Sequence, residues 1–115
     1  MLPVVLVVDD ERPLLRLYRR ILRSPHYEVL AVPDTTEALA VVAQYGDRIR
    51  LLVIDQLLLG TSGVKFAEEL KVKFAQLEVL IVSGMVDLEC EFETLEKPFS
   101  TEGLVRTVKR KLGLS

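Results

Sequence analysis

The chain has 115 residues, half of them hydrophobic, with 17 acidic residues against 15 basic ones and a formal net charge of −2. That length fits one domain, residues 1–115, and leaves no room for a second of ordinary size. A single cysteine, Cys90, excludes an internal disulfide, the charge balance gives no global footprint for nucleic acid, and no apolar run approaches the ~20 residues of a membrane span. Met1-Leu2-Pro3-Val4 lacks the basic region and cleavage site of a signal peptide, and Met1 just ahead of the first apolar run favours a natural start. The expected location is the cytoplasm.

Val4 to Val8 is continuously apolar and reads as a strand buried on both faces. Pro13 suits a first helical turn, and Leu14, Leu15, Tyr18, Ile21 and Leu22 follow at the spacing of one buried helix face. Ser24-Pro25-His26 ends that helix. Glu28 to Val32 forms a short strand, and Thr35 or Thr36 is the expected cap of a second helix carrying Ala38, Leu39, Val42 and Ala43 inward. Leu51 to Ile54 is a second fully apolar strand, Gly60-Thr61-Ser62-Gly63 a loop, and Val64, Phe66, Ala67, Leu70 and Phe74 mark the next helix. Val79 to Val82 is another buried strand, while the alternating Phe92 to Glu96 suits an exposed edge. Ser100 can cap a last helix with Leu104, Val105, Val108 and Leu112 facing inward.

Strands alternating with helices imply right-handed βαβ units and a parallel sheet covered on both faces. The expected fold class is α/β: an open, doubly wound sheet of five parallel strands, with the second and fifth strands at its edges. Such sheets place their sites beyond the carboxyl ends of the strands. Asp9 and Asp10 follow the first strand, Asp55 the third, Ser83 the fourth, and Lys97 stands near the end of the last. If the first and third strands are neighbours, three carboxylates converge. Either one of them holds its proton or a cation sits among them, and oxygen-only ligands suit Mg²⁺. With a hydroxyl and an ammonium around the same point, the set suits a phosphoryl group, with one Asp as nucleophile.

Val5-Leu6-Val7-Val8-Asp9-Asp10-Glu11, Leu52-Val53-Ile54-Asp55, Val82-Ser83-Gly84 and Glu96-Lys97-Pro98-Phe99 resemble the receiver domain of two-component response regulators, and the resemblance covers essentially the whole chain. It implies that Asp55 is the phosphoacceptor, taking a phosphoryl group from a histidine kinase or a histidine phosphotransfer domain. It implies Mg²⁺ held by Asp10, Asp55 and the Leu57 carbonyl, with Asp9 acting through water, and phosphoryl oxygens met by Ser83 and Lys97. It implies the flavodoxin-like strand order 2-1-3-4-5, and the Lys97–Pro98 bond is often cis in this family. Such a module phosphorylates itself and turns over no external substrate. Neither nucleic acid nor membrane is an expected partner of this domain, and the oligomeric state stays open, a homodimer included.

Departures from the family pattern are also legible. Leu59 stands where a proline is usual, whereas Gly63 is retained. Only residues 84–96 separate Ser83 from Lys97, too few for a strand and the ~10–12 residues of an ordinary crossover. The fourth helix is therefore expected to be missing or reduced to a stub. Thr94 occupies the position of the family's aromatic switch, so the readout is expected to use the first or last helix instead. Leu57 and Met85 offer an attacking water no hydrogen bond, which implies slow loss of the phosphoryl group. Arg12, Arg16, Arg19, Arg20 and Arg23 on the first helix form either a solvated face or a kinase-docking surface. Two rival functions remain: a docking module of the same fold that is never phosphorylated, and a Mg²⁺-dependent phosphohydrolase. The second would need a general acid two residues past Asp55, where Leu57 stands.

Overall fold

The computed structural model describes residues 1–85 and 88–114. Strands β1 (Val4–Val8), β2 (Glu28–Val32), β3 (Ile49–Asp55), β6 (Glu78–Ser83) and β7 (Glu93–Glu96) form one sheet in the order β2-β1-β3-β6-β7, every pair parallel. This is the expected five-strand order, with β2 and β7 at the edges. Between β3 and β6 lie a small antiparallel hairpin, β4 (Leu57–Leu58) with β5 (Thr61–Ser62), and helix α3 (Gly63–Lys73). Helices α1 (Arg12–Ile21), α2 (Thr35–Tyr45) and α4 (Thr101–Lys111) complete the layers. No helix among them is long and apolar enough to cross a membrane.

The alternation of side chains along each strand divides the core in two. Val4, Leu6, Val8, Leu52, Ile54, Val79 and Ile81 pack with Ala38 of α2 and Phe66, Ala67 and Leu70 of α3. Val5, Val7, Leu51, Val53, Leu80 and Val82 pack on the other face with Leu15 and Tyr18 of α1 and Leu104 and Val108 of α4. Nearly every one of these strand side chains is fully buried, each contributing about 1.5–3 kcal/mol relative to exposure. The three central strands are apolar on both faces for this reason.

Two local expectations need correction. The cap of α2 is Asp34, whose Oδ1 accepts from the Glu37 N–H at 2.8 Å, and Thr35 is already helical. A carboxylate one residue upstream satisfies the free amide and complements the helix dipole, so the threonines are not needed there. On the same helix Leu39 and Ala43 are exposed. The inward set is Ala38, Val41, Val42 and Tyr45, a cleaner i, i+3, i+4, i+7 stripe.

In the crossover from β6 to β7, the described residues, 84–85 and 88–92, carry no helix. Val86 and Asp87, over which part of the expected stub would run, lie outside the described residues. Leu88, Cys90 and Phe92, at every second position, pack against the core on the α2–α3 side. That is the period of an extended chain, and it puts Phe92 into the core while Thr94 stays exposed on the edge strand.

Candidate phosphoacceptor site

The site is built where four parallel strands end. Asp9 and Asp10 leave β1, Asp55 is the last residue of β3, Ser83 the last of β6, and Lys97 follows β7. The pairing of β1 with β3, in which Val8 lies opposite Ile54, brings the first two carboxylates beside the third. One carboxylate oxygen from each of Asp9, Asp10 and Asp55 lies within 4.8 Å of the others. Asp9 and Asp55 are buried and Asp10 is half-buried.

Lys97 reaches this cluster from the opposite side. Its Nζ donates to Asp55 Oδ2 at 2.9 Å and lies 3.6 Å from Asp9 Oδ2 and 3.7 Å from Glu11 Oε2. Burial works against its ammonium, but the hydrogen bond to Asp55 and the charges of Asp9, Asp55 and Glu11 outweigh this and hold its pKa above the ordinary value. Burial also raises the pKa of Asp9, against the Glu11 amide and Lys97, which favour its charged form. The chain around Lys97 is pinned twice. Its N–H donates to the Ser83 carbonyl at 2.8 Å, and Phe99 stacks on buried Tyr18 of α1 with ring centroids 5.8 Å apart. Between them the Lys97–Pro98 peptide is cis, as the resemblance implies.

The remaining donors orient the acceptor. Asp55 Oδ1 accepts from the Leu57 N–H at 3.2 Å, and Asp9 Oδ1 from the Glu11 N–H at 2.9 Å. Ser83 Oγ accepts from the Met85 N–H at 2.9 Å; among the described residues it makes no hydrogen bond to Asp55. Leu57 and Met85, on the rim, are 66% and 47% exposed and present only apolar side chains.

Three residues make contacts that were not evident from the sequence. Glu11 supplies a fourth carboxylate at the rim. Gln56 fastens the loop beyond the acceptor, its Oε1 accepting from the Val64 N–H at 2.9 Å and the Ser62 hydroxyl at 3.3 Å. Nothing in the spacing marks a glutamine for this, because its partners are an amide in the first turn of the next helix and the hydroxyl of that helix's cap. Gly63 has a reason visible only in three dimensions. A β-carbon there would lie 2.2 Å from the Asp55 carbonyl oxygen, so the first turn of α3 can rest against the acceptor strand only without one.

The donor set fits a hard divalent cation. It is made of oxygen alone, it is anionic, and Asp9 Oδ2 is buried without a hydrogen-bond partner among the described residues. The Lys97 ammonium, 3.6 Å away, gives that oxygen an ionic neighbour but no hydrogen bond, so its coordination is left incomplete.

Residues 5–109 match the family model of the response regulator receiver domain. The chain belongs to that family. As a receiver domain it is a signalling module, not an enzyme that turns over a substrate. It is 32% identical over 87 residues, 76% of its length, to the putative two-component response regulator ARR21 of Arabidopsis thaliana, of which it covers 14%. It is 30% identical over 95% of its length to the transcriptional regulatory protein AruR of Pseudomonas aeruginosa, of which it covers 49%. The chain thus spans half or less of these two curated relatives. Among solved structures, a receiver domain protein from Clostridium thermocellum superposes with a TM-score of 0.86 at 27% identity, covering 97% of this chain and 95% of the other. The receiver domain of the hybrid histidine kinase CckA gives 0.82 at 29% identity, covering 95% and 98%.

Proposed function

We propose that this receiver domain accepts a phosphoryl group on Asp55 from a phosphohistidine of a histidine kinase or phosphotransfer protein, in a Mg²⁺-dependent reaction. The observation that carries the reading is the pairing of Asp55 with Lys97 inside a cluster of three carboxylates that retains a buried oxygen without a hydrogen bond. In the transfer a carboxylate oxygen of Asp55 forms the new bond to phosphorus while the bond from phosphorus to the donor imidazole nitrogen breaks. That nitrogen keeps the electron pair, and an acyl phosphate remains on Asp55. The Leu57 N–H and the Lys97 ammonium hold the carboxylate on two sides beforehand, which removes much of the entropic cost of alignment.

Lys97 then has a second role. Once one Asp55 oxygen is esterified, its ammonium is the group positioned to follow the charge onto the phosphoryl oxygens, with the Ser83 hydroxyl as a donor alongside. Asp10, Asp55 and the Leu57 carbonyl would hold Mg²⁺ directly and Asp9 through water; when bound, the ion neutralises the carboxylates and the incoming phosphoryl charge. Leu57 and Met85 give an attacking water no hydrogen bond, so the phosphoryl group is long-lived. A lifetime of seconds would contradict this. Beside the site Pro13, Leu14 and Leu17 form, with Glu11, an apolar groove of about 450 Å³, a surface suited to a helix of the phosphodonor.

The test is incubation with Mg²⁺ and acetyl phosphate, followed by intact mass, beside Asp55→Asn. A Mg²⁺-dependent phosphoryl adduct absent from the variant is the expected result. No adduct, together with no Mg²⁺ binding by calorimetry, would instead favour a docking module that is never phosphorylated.

A further inference from the structure

A separate feature lies on the flank of α1 that faces away from that apolar groove. Residues 12–27 contain five arginines and no carboxylate, whereas the rest of the chain holds all seventeen acidic residues and only ten basic ones. Arg12 stands in the first turn of α1, where a cation opposes the helix dipole, and Arg12 with Arg16, like Arg16 with Arg20, places like charges one turn apart. Among the described residues none of the five arginines has an ion-pair partner. Arg19 and Arg20, in the last turn, complement the helix dipole, so the strain on α1 comes from Arg12 and from the like charges one turn apart. The positive charge is concentrated and without ion pairs among the described residues.

Three of these side chains do not simply project into solvent. Arg12, Arg16 and Arg19 form one wall of a groove of about 370 Å³ between α1, the end of β2 and the start of α2. Arg19 is fixed there, its Nη2 donating to the Ala31 carbonyl at 2.7 Å on the open edge of the sheet. The other walls are apolar at Leu15, Val32 and Pro33, with the carboxylate of Glu37 at the far side. A guanidinium offers a planar fork of donors matched to phosphate oxygens. The volume lies at the lower end of the range of small-molecule sites, and the exposed lining is mostly polar, with a smaller apolar part at Val32 and Pro33.

We propose that this groove binds a nucleotide-sized diphosphate or triphosphate ester. Arg12 and Arg16 hold the phosphates, and Arg19 adds its remaining donors. Val32 and Pro33 take the apolar face of the body, and Glu37 accepts from its hydroxyl or amine groups. The concavity favours a small phosphate ester over a broad acidic protein surface, and the opposing carboxylate would serve no purpose toward a purely anionic partner. The site is independent of the phosphoacceptor: it involves none of Asp9, Asp55 or Lys97.

The test is calorimetric titration of the intact protein with ADP and with inorganic pyrophosphate, in EDTA so that no metal links either to the carboxylates. Saturable binding of ADP is expected, tighter than that of pyrophosphate and weakened about tenfold or more in Arg16→Glu, the loss that follows removal of one charge-assisted pair. Asp55→Asn should bind ADP like the unmodified protein. Arg16→Gln, which removes the charge without reversing it, guards against a folding artefact and should also bind weakly while keeping its circular dichroism. Equal affinities for the two probes would overturn the nucleotide assignment in favour of a plain polyphosphate site. Failure of both to bind, or binding indifferent to Arg16, would overturn the proposal. If the Arg16→Glu variant then slowed transfer from a phosphorylated partner, the groove would be a docking surface for protein.

Discussion

Replacement of Gly63 by alanine tests how the acceptor strand and α3 are joined. The added β-carbon would lie 2.2 Å from the Asp55 carbonyl oxygen, 2.9 Å from its carbon and 3.1 Å from Gln56 Cα, all of them backbone atoms that cannot rotate away. Comfortable contacts begin near ~3.5 Å, so the first turn of α3 must withdraw by roughly 1 Å. That movement strains the Gly63 N–H bond to the Gln56 carbonyl, now 3.0 Å, and the side-chain clamp from Gln56 to Val64. Overpacking costs about 1–3 kcal/mol and a lost hydrogen bond about 1 kcal/mol, offset by roughly 0.4–1 kcal/mol gained on leaving glycine. The net expectation is a loss of about 1–3.5 kcal/mol, or roughly 5–15 °C in Tm for a domain of this size. Gly60→Ala is the control. Gly60 has φ +79° but nothing within 4 Å of its added carbon, so only backbone strain of about 1–2 kcal/mol is expected. Urea melts in EDTA compare the two directly. A Gly63→Ala protein within about 0.5 kcal/mol of the parent, or one more stable than Gly60→Ala, would refute the steric argument.

Lys97→Met removes the ammonium from Asp55, Asp9 and Glu11 together, and metal-free stability should fall by roughly 1–3 kcal/mol, with saturating Mg²⁺ narrowing the gap. An unchanged urea midpoint in EDTA would count against the ion pairing described here. Glu93 meets Arg110 and Lys111 of α4; burial raises its pKa, but their hydrogen bonds and charges outweigh this and hold it below 4.5. Its stabilisation is therefore present above that value and fades as pH falls through the lower, folded-state pKa. Because the carboxylate is well exposed, the term is worth no more than about 1 kcal/mol, and Glu93→Gln should flatten the acid side of a stability–pH profile by that amount. Asp34→Ala should cost about 0.5–2 kcal/mol in thermal or urea melts, and Thr36→Ala no more than about 0.5 kcal/mol; equal costs would argue against Asp34 as the cap.

The acceptor cluster was legible in the sequence because its information is local. Val4–Val8 and Leu51–Ile54 are apolar at every position, which only a strand covered on both faces requires, and each is followed at once by aspartate. Given the order of a parallel open sheet, Asp9, Asp10 and Asp55 had to meet. Lys97 and Ser83 followed from the same rule of strand ends. Asp34 escaped because threonine and aspartate both serve as caps and the helix start differs by a single residue. The inward face of α2 was misjudged because Ala38, Leu39, Val41, Val42 and Ala43 are all apolar, and the pattern alone does not say which of them the sheet covers.

The sequence by itself determined the strands and the chemistry at their carboxyl ends, because strand burial and strand ends are written in short contiguous runs, while the strand order came with the family resemblance of those motifs. The tertiary structure alone decided that Gly63 must lack a side chain, that Gln56 clamps the acceptor loop, and that Leu88, Cys90 and Phe92 pack against the core. It alone made a groove of three arginines from a charged helix face. Each of these depends on which backbone or side chain arrives opposite a residue from a distant part of the chain, and local periodicity carries no record of that neighbour.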